Sequence, residues 1–300
     1  MVASARTWLL MIIDLICIPI AILPAAILIW CDIHPNESGF YCTDRRISYP
    51  YRAGSWAHRI LGHWGFLIAM SIIAFVLGEL TLYLKEKRSL NDRGSADQQE
   101  YSDILTNFFV RLFKNNVIFL FGYVNLFLIH PPGLSAVASV VYVAKYTVGE
   151  LRPYFLQVCD LNFTCTTDRG LLFPSVCTGD KYTMEQSKLG FVSGHAASHF
   201  YTAVYLAVYI QARWKWRGPW LVKPAVQAAF VAFAVWNSYT RVAIYHHDIY
   251  EVNRGIALGV SFAVIMVLFV SDLFWDRGTA AARARSWHVA TVGTPFSEDD

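Results

Sequence analysis

Residues Ser238 to Phe274 read SYTRVAIYHHDIYEVNRGIALGVSFAVIMVLFVSDLF and join a polar cluster to a long apolar run. The run begins near Ile256, directly after Gly255, and continues to Phe274 with almost no charge. An apolar stretch of about 20 residues is long enough to cross a bilayer as a helix. The sequence therefore predicts a membrane helix that has polar residues at its entrance.

The composition of the whole chain agrees with this prediction. Its 300 residues are 55% hydrophobic and only 16% charged, with a mean hydropathy of +0.38, whereas a soluble domain carries about 25% charged residues. The net charge of +3 is small and spread along the chain, which argues against nucleic-acid binding. Because backbone polar groups need internal partners in lipid, we predict an all-α integral membrane protein.

Similar apolar segments recur along the chain and predict six transmembrane helices. Their approximate bounds are Trp8–Trp30, Trp64–Leu84, Val117–Ala144, His195–Ala212, Pro224–Tyr239 and Ile256–Phe274. The first is too long for a cleaved signal peptide and is predicted to be an uncleaved signal-anchor, kinked at Pro19 and Pro24. Asp14 and Glu79, in the first two segments, are interpreted either as functional carboxylates or as residues that pack or snorkel near helix ends.

The third segment is ambiguous. As one helix, Val117–Ala144 would be about 42 Å long, against a hydrocarbon core of about 30 Å. A His-Pro-Pro-Gly sequence interrupts it at 130–133. Two separate crossings would each be too short. We therefore expect one crossing, kinked or preceded by an interfacial turn, which ends near Lys145.

The basic residues predict the orientation. Six crossings place both termini on one side, and the connections on that side hold more than half of the Lys and Arg residues, which favours cytosolic termini. Residues 1–276 then form one six-helix domain, and 277–300 form a disordered cytosolic tail. The sequons at Asn36 and Asn162 fall in predicted outer loops and are candidate glycosylation sites. We expect the protein in the plasma membrane, with an endomembrane as the alternative.

Most cysteines also belong to the predicted outer side, where disulfides can persist. They are Cys31, Cys42, Cys159, Cys165 and Cys177. We expect one bridge among the three cysteines between 159 and 177, with the pairing left open. Cys17, in the first segment, is expected only to pack.

Three polar clusters mark the predicted outer ends of segments three, four and six. Their residues are Lys145 and Arg152, then Ser193, Gly194 and His195, and finally Arg241, His247 and Glu251. The first two cations are seven apart, so a continuous helix would place both on one face. A hydroxyl and free backbone N–H groups at the start of segment four suit an anion. His247 and Glu251, four apart, would also share a helical face, where the carboxylate orients the imidazole.

Each cluster alone also fits a structural role. Snorkelling cations at a helix end or a satisfied structural histidine would explain the first two clusters, and a polar patch at the membrane interface would explain the third. The predicted topology, however, brings all three to the same membrane face. Their coincidence there favours a single phosphate-binding pocket.

The order of these motifs carries a family resemblance. Lys-x6-Arg-Pro, then Ser-Gly-His, then Arg-x5-His-x3-acid resembles the three-part signature of the type 2 phosphatidic acid phosphatase superfamily. Residues 39–51, GFYCTDRRISYPY, resemble the first outer loop of the animal lipid phosphate phosphatases, and RPYFL at 152–156 fits the same group. The resemblance covers about residues 15–274.

The resemblance implies a six-helix enzyme that dephosphorylates lipid phosphates at the non-cytosolic membrane face, with no cofactor and no metal. His247 would be the nucleophile and form a phosphohistidine, and His195 would be the general acid and base. The remaining motif residues, Lys145, Arg152, Ser193, Gly194 and Arg241, would bind the phosphate. The expected partners are lipid phosphates in the bilayer: phosphatidate, lysophosphatidate, sphingosine-1-phosphate or ceramide-1-phosphate. A homo-oligomer is compatible with the sequence.

One departure from the family pattern concerns the residue that orients His247. Glu251 stands where the pattern has Asp, so its carboxylate must fold back by one methylene, and a misplacement of about 1 Å can cost on the order of a hundredfold in rate. A Glu251→Asp change is expected to keep or raise turnover. The alternative is a non-catalytic relative that binds lipid phosphates or signals. A lipid phosphotransferase is a third reading, which the Lys-x6-Arg-Pro pair disfavours.

Overall fold

The computed structural model describes residues 5–31, 33–52, 64–94, 98–123, 136–164, 170–214, 218–271 and 273–274. Within these residues the α-helices are α1 (Ala5–Trp30), α2 (Trp64–Asp92), α3 (Gln98–Tyr123), α4 (Ala136–Val148), α5 (Phe155–Cys159), α6 (Lys181–Ser187), α7 (Gly194–Arg213), α8 (Val222–Ala243) and α9 (Ile249–Ile265). A π-helical turn, Met266–Val270, continues α9. The β pairing recorded over the same residues is one isolated bridge, between Phe40 and Leu172. The predicted all-helical class is confirmed at this level.

The helices α2 and α3 extend further than their apolar segments. The connection predicted between Lys85 and Lys114 is mostly helical, because α2 continues to Asp92 and α3 begins at Gln98. An ion pair holds this extension together: Arg111 donates to Glu86 at 3.0 Å and to Glu79 at 3.0 Å. Opposite charges on α2 and α3 therefore hold the two helices together beyond their apolar segments.

The third predicted segment is divided between two helices. Its beginning lies in α3 and its end in α4, and the His-Pro-Pro-Gly sequence falls in 124–135, outside the described residues. Both helices pack on α7: the Tyr201 hydroxyl donates to the carbonyl of Phe119 at 3.2 Å, and Val141 is close to Gly194. Gly194 and Tyr201 are seven residues apart, which is about 10 Å along a helix. The two pieces therefore contact α7 at successive levels.

Helix α7 forms the centre of the core. It packs against α2, α3, α4, α8 and α9, and its rings at 201, 205 and 209 are fully buried among aromatic residues of α2 and α3. Glu79 is also fully buried there and accepts hydrogen bonds from Arg111, Asn115 and Tyr209. Of the two readings left open for Glu79, the structure favours packing. The side chain of Asp14 lies outside the described residues.

Two glycines bring α9 against the beginning of α7. A Cβ atom on Gly259 would lie 2.1 Å from the carbonyl oxygen of Ala197, and one on Gly255 would lie 2.5 Å from that of Ser193. Helix backbones approach this closely only where side chains are absent. The four-residue spacing of the glycines therefore fixes the N-terminal end of α9 beside that of α7.

A smaller cluster caps one end of the bundle. Phe40 and Ile47, from residues 39–51 that the sequence predicts to be the first outer loop, pack with Phe155, Cys159 and Met184. A disulfide joins Cys159 to Cys177, which selects one of the pairings left open, and Cys42 is also disulfide-bonded. Cys17 and Cys31 are free thiols.

One helical stretch within the described residues, Ile249–Val270, has both the length and the apolar composition required to cross a membrane. The number of crossings stays a prediction. This stretch begins two residues after His247 and contains Glu251, so it overlaps the third polar cluster.

Candidate active site

His247 lies in the short loop between α8 and α9, not on a helix as the sequence predicted. The amides of His246 and His247 both donate to the carbonyl of Arg241, at 3.0 and 3.3 Å, and this closes the loop. His247 is buried, with 4% of its surface exposed. Its Nδ1 lies 2.7 Å from Oε2 of Glu251. The predicted contact between His247 and Glu251 is therefore present. It joins a loop residue to a residue in the first turn of α9, and not two residues on one helical face.

Glu251 is held by the start of α9. The helix is capped by Asp248, and Glu251 is the third helical residue, where a capping box places a Glu. Oε2 of Glu251 accepts the Asp248 amide at 3.0 Å in addition to the imidazole of His247. The helix cap therefore orients the carboxylate that in turn orients the imidazole.

Gly190 provides the space for this glutamate. A Cβ at that position would lie 2.6 Å from Oε1 of Glu251 and 2.7 Å from the carbonyl oxygen of Glu150. The additional methylene of Glu, compared with Asp, is thus accommodated by a residue without a side chain. The carboxylate reaches His247 at normal hydrogen-bond distance, and the geometry shows no misplacement of the orienting group.

Lys145 and Arg152 do not share a helical face. Helix α4 ends at Val148, and Gly149 has φ +62°, a conformation that turns the chain out of the helix. The two cations nevertheless converge on one acceptor. The carbonyl of Leu189 receives Nζ of Lys145 at 2.6 Å and Nε of Arg152 at 3.3 Å. The loop that precedes α7, rather than helical spacing, brings the cations together.

Ser193 and His195 lie at the beginning of α7. Ser193 is its N-cap and accepts the Ala196 amide at 3.4 Å through Oγ, which leaves the hydroxyl hydrogen available to another acceptor. The Ser193 amide donates to the carbonyl of Glu251 at 3.1 Å, which joins this loop to α9. Gly194 and His195 are the first two helical residues, and His195 is partly exposed.

The environment of His247 favours its neutral form. Burial lowers the pKa of His247 well below its usual value, and the positive charges of Lys145, Arg152, His246 and Arg241 lower it further. Lys145 lies on α4, Arg152 in the loop after α4 and Arg241 near the end of α8, so positive charges from two parts of the fold act on the imidazole. With Nδ1 donating to Glu251, Nε2 of a neutral His247 carries a lone pair.

An apolar cleft of about 550 Å³ lies on another side of α4. It is lined by Pro24, Ser139, Val140, Val143, Ala144, Thr147, Val148 and Phe262. The Thr147 hydroxyl donates to the carbonyl of Val143 and is thereby satisfied within the helix. Lys145, by contrast, projects from the other face of α4 with Val141, toward α7. The cleft is therefore separate from the cationic site.

Comparison with known proteins identifies the family. The PAP2 superfamily matches residues 104–275, which include all three polar clusters. The chain belongs to this superfamily. Phospholipid phosphatase 2 of Bos taurus is 34% identical over 273 residues, which cover 91% of this chain and 86% of the relative. Phospholipid phosphatase 2 of Mus musculus is 33% identical over 273 residues, which cover 91% of this chain and 90% of the relative. Phospholipid phosphatase 1 of Mus musculus is 31% identical over 268 residues, which cover 88% of this chain and 85% of the relative. No solved structure matches the chain.

These relatives confirm the resemblance read from the motifs: within the PAP2 superfamily the chain belongs to the lipid phosphate phosphatase family. The sequence did not point to two parts of the site. The Leu189 carbonyl carries no side-chain signal, and the space left by Gly190 depends on a contact between distant segments. The Gly255-x3-Gly259 spacing was readable, because small residues four apart are typical of close helix packing.

Proposed function

We propose that this chain removes the phosphate from lipid phosphates without a metal ion, through a phosphohistidine on His247. Membership of the lipid phosphate phosphatase family makes the chain a lipid phosphate phosphatase; the proposal concerns its chemistry, substrates and orientation. The observation that carries it is the pair of His247 and Glu251, joined at 2.7 Å and surrounded by cationic side chains.

The first step is nucleophilic attack. Nε2 of neutral His247 forms a bond to phosphorus while the bond from phosphorus to the lipid oxygen breaks. Protonated His195 gives its proton to the leaving alkoxide. The imidazole of His247 gains positive charge as the N–P bond forms, and the carboxylate of Glu251 stabilises that charge.

The second step releases phosphate. His195, now neutral, takes a proton from water, and the resulting hydroxide attacks phosphorus as the N–P bond breaks. Inorganic phosphate leaves, His247 returns to its neutral form and His195 is protonated again. Atoms and protons balance over the cycle with the lipid alcohol and phosphate as products.

The surrounding donors hold the phosphoryl oxygens. Lys145, Arg152 and Arg241 supply positive charge, and the Ser193 hydroxyl and the backbone N–H of Gly194 supply further hydrogen bonds. A phosphoryl transition state spreads negative charge over its equatorial oxygens, so fixed cations and donors stabilise it more than the ground state. In this proposal they take the part that Mg²⁺ plays in other phosphoryl-transfer enzymes.

The substrate class follows from the family and from the membrane. We propose phosphatidate, lysophosphatidate, sphingosine-1-phosphate and ceramide-1-phosphate as substrates, taken from the bilayer. Six crossings would place the site at the outer or lumenal face, with both termini and the tail 277–300 in the cytosol. The exposure of Asn36 and Asn162 supports their glycosylation on that same side. The plasma membrane is the proposed location, with an endomembrane as the alternative.

The test is phosphate release from phosphatidate in detergent micelles with EDTA present. We expect the wild-type protein to release phosphate and His247→Ala to release none above background, because the nucleophile is absent. His34→Asn, at an exposed histidine outside the three polar clusters, is a matched control for loss of an imidazole outside the proposed chemistry. Full activity in His247→Ala would remove His247 as the nucleophile. A wild-type protein that binds phosphatidate but releases nothing would favour the non-catalytic alternative.

A further inference from the structure

The segment Tyr49–Arg52 of the first outer loop lies along the loop that carries Arg152. The Tyr49 amide donates to the carbonyl of Pro153 at 2.9 Å, and the Tyr51 amide donates to the side chain of Gln157. The Tyr51 ring packs edge-on against Tyr154 with centroids 4.8 Å apart. This segment is therefore anchored to the residues that follow Arg152.

The same segment also contacts the loop that carries His247. The ring of Tyr49 stacks on that of Tyr245 with centroids 4.7 Å apart and an interplanar angle of 20°, and the Arg52 guanidinium lies 5.0 Å from the centre of the Tyr245 ring. The carbonyl of Arg52 accepts Nε2 of His246 at 2.9 Å. These stacking and cation–π distances are in the range of favourable contacts.

Tyr245 needs such support, because its backbone has φ +60°. A bulky residue with a side chain rarely adopts this left-handed conformation, and it persists where surrounding contacts impose it. Tyr245 is two residues before His247. If it relaxed to an ordinary φ, the chain direction at His247 would change, and the imidazole would leave its place beside Glu251.

We propose that Tyr49–Arg52 is a clamp that fixes Tyr245 and His246 and so positions the His247 imidazole. The clamp residues are positioning residues: their contacts are with the loops on either side. The inference rests on His247 being the nucleophile, as proposed above. It gives the first outer loop, which the PAP2 match at 104–275 does not include, a part in the reaction.

Tyr154 connects the clamp to the phosphate-binding side. Nη1 of Arg152 donates to the Tyr154 hydroxyl at 3.3 Å, and the Tyr154 ring lies 5.4 Å from that of His246. One aromatic ring thus contacts the clamp, the neighbour of the nucleophile and a phosphate-binding cation. The segment Tyr49–Arg52 therefore contacts both the loop that carries Arg152 and the loop that carries His247, and fixes their relative positions.

The test compares Tyr49→Ala with Tyr49→Phe in the full-length chain, using the phosphatidate assay. We expect Tyr49→Ala to lower kcat roughly ten- to a hundredfold, the scale of a misplacement near 1 Å, while KM changes less than about twofold. Tyr49→Phe retains the stacking ring and should restore kcat. Tyr41→Ala, at an exposed tyrosine of the same loop, is the matched control and should behave like wild type.

A double-mutant cycle separates positioning from general destabilisation. Because Tyr49 acts through Tyr245, adding Tyr49→Ala to Tyr245→Ala should lower kcat little further. Arg52→Met, which removes the cation near Tyr245, gives a second variant if Tyr49→Ala does not reach the membrane. Wild-type kcat in Tyr49→Ala or in Arg52→Met, or fully additive losses in the cycle, would overturn the clamp. Either result would leave the proposed function intact, which fails only if His247→Ala is active.

Discussion

Two buried glutamates, at opposite ends of α7, have very different partners. Glu79, near Tyr209 at the C-terminal end, accepts from Arg111, Asn115 and Tyr209, with all three donors at 2.7 to 3.1 Å. Glu251, near Ser193 at the N-terminal end, accepts from an imidazole and a helix-cap amide. Both are almost inaccessible to solvent. Burial alone therefore does not distinguish a carboxylate that holds a fold from one that serves a reaction.

The difference lies in what the partners can still do. The donors around Glu79 come from α3 and α7, so their contact with this residue of α2 joins three helices, and Arg111 is also paired with Glu86. The imidazole beside Glu251 has a second nitrogen, and it feels the positive charges of Lys145 on α4, Arg152 in the loop after α4 and Arg241 on α8. A buried carboxylate indicates a catalytic role when its partner is titratable and still has a second reactive atom, as His247 has.

Exchanging each carboxylate for its amide is the sharpest test of this contrast, and among changes to the two glutamates it has the largest expected effect. Glu251→Gln keeps the shape but loses the charge that orients and stabilises His247, so we expect kcat to fall by about 10²- to 10⁴-fold. Glu79→Gln should lower stability by about 1–3 kcal/mol, because it leaves buried donors poorly matched, while the folded fraction keeps near-normal kcat. Phosphate release and thermal unfolding in the same detergent measure both.

Two outcomes of the amide exchanges would contradict the proposed difference between Glu79 and Glu251. Equal losses of kcat in the two variants, after correction for the folded fraction, would mean that both glutamates act only through the fold. A stable Glu251→Gln protein with wild-type kcat would remove Glu251 from the reaction.

Shortening Glu251 is expected to have a smaller effect, in the direction opposite to the sequence-based expectation. Glu251→Asp withdraws the carboxylate by one methylene from His247 and from the Asp248 amide, both of which Oε2 now reaches. We expect kcat to fall roughly tenfold, within the sensitivity of catalysis to misplacement. Turnover equal to or above wild type would support the expectation from the sequence that Asp suits this position, and would contradict the inference that Glu251 is already well placed. Gly190→Ala is the matched variant, since its Cβ would press on Oε1 and should lower kcat by a similar amount.

The sequence predicted the helical class and the family, because apolar length and motif order are local signals. Its helical arguments for the site were wrong in detail: His247 precedes α9, and Arg152 lies beyond the end of α4. The residues nevertheless meet, because a helix cap and the Leu189 carbonyl make the contacts that spacing was expected to make. Contacts of this kind depend on loops distant in the chain and leave no period in the sequence.

The acid limb of the pH profile is the smallest expected effect. Burial and nearby cations lower the pKa of His247 below its usual value of about 6.5, so the imidazole is neutral and nucleophilic at pH 7 and is protonated only in more acidic solution. We expect kcat/KM to stay level as pH falls through about 6.5, where an ordinary histidine would already be half protonated, and to decline only in more acidic solution. The measurement is the initial rate of phosphate release over a series of buffers.

A phosphate monoester has its own second pKa near 6, so the source of the acid limb must be identified. Arg152 is one of the cations that lower the pKa of His247. Replacing it in Arg152→Gln should move a limb set by His247 to higher pH, since protonation of the imidazole then meets less repulsion. A limb set by the substrate would stay at the same pH in the variant, whatever the absolute rate. An unmoved limb would therefore assign the titration to the lipid phosphate and withdraw His247 as its source.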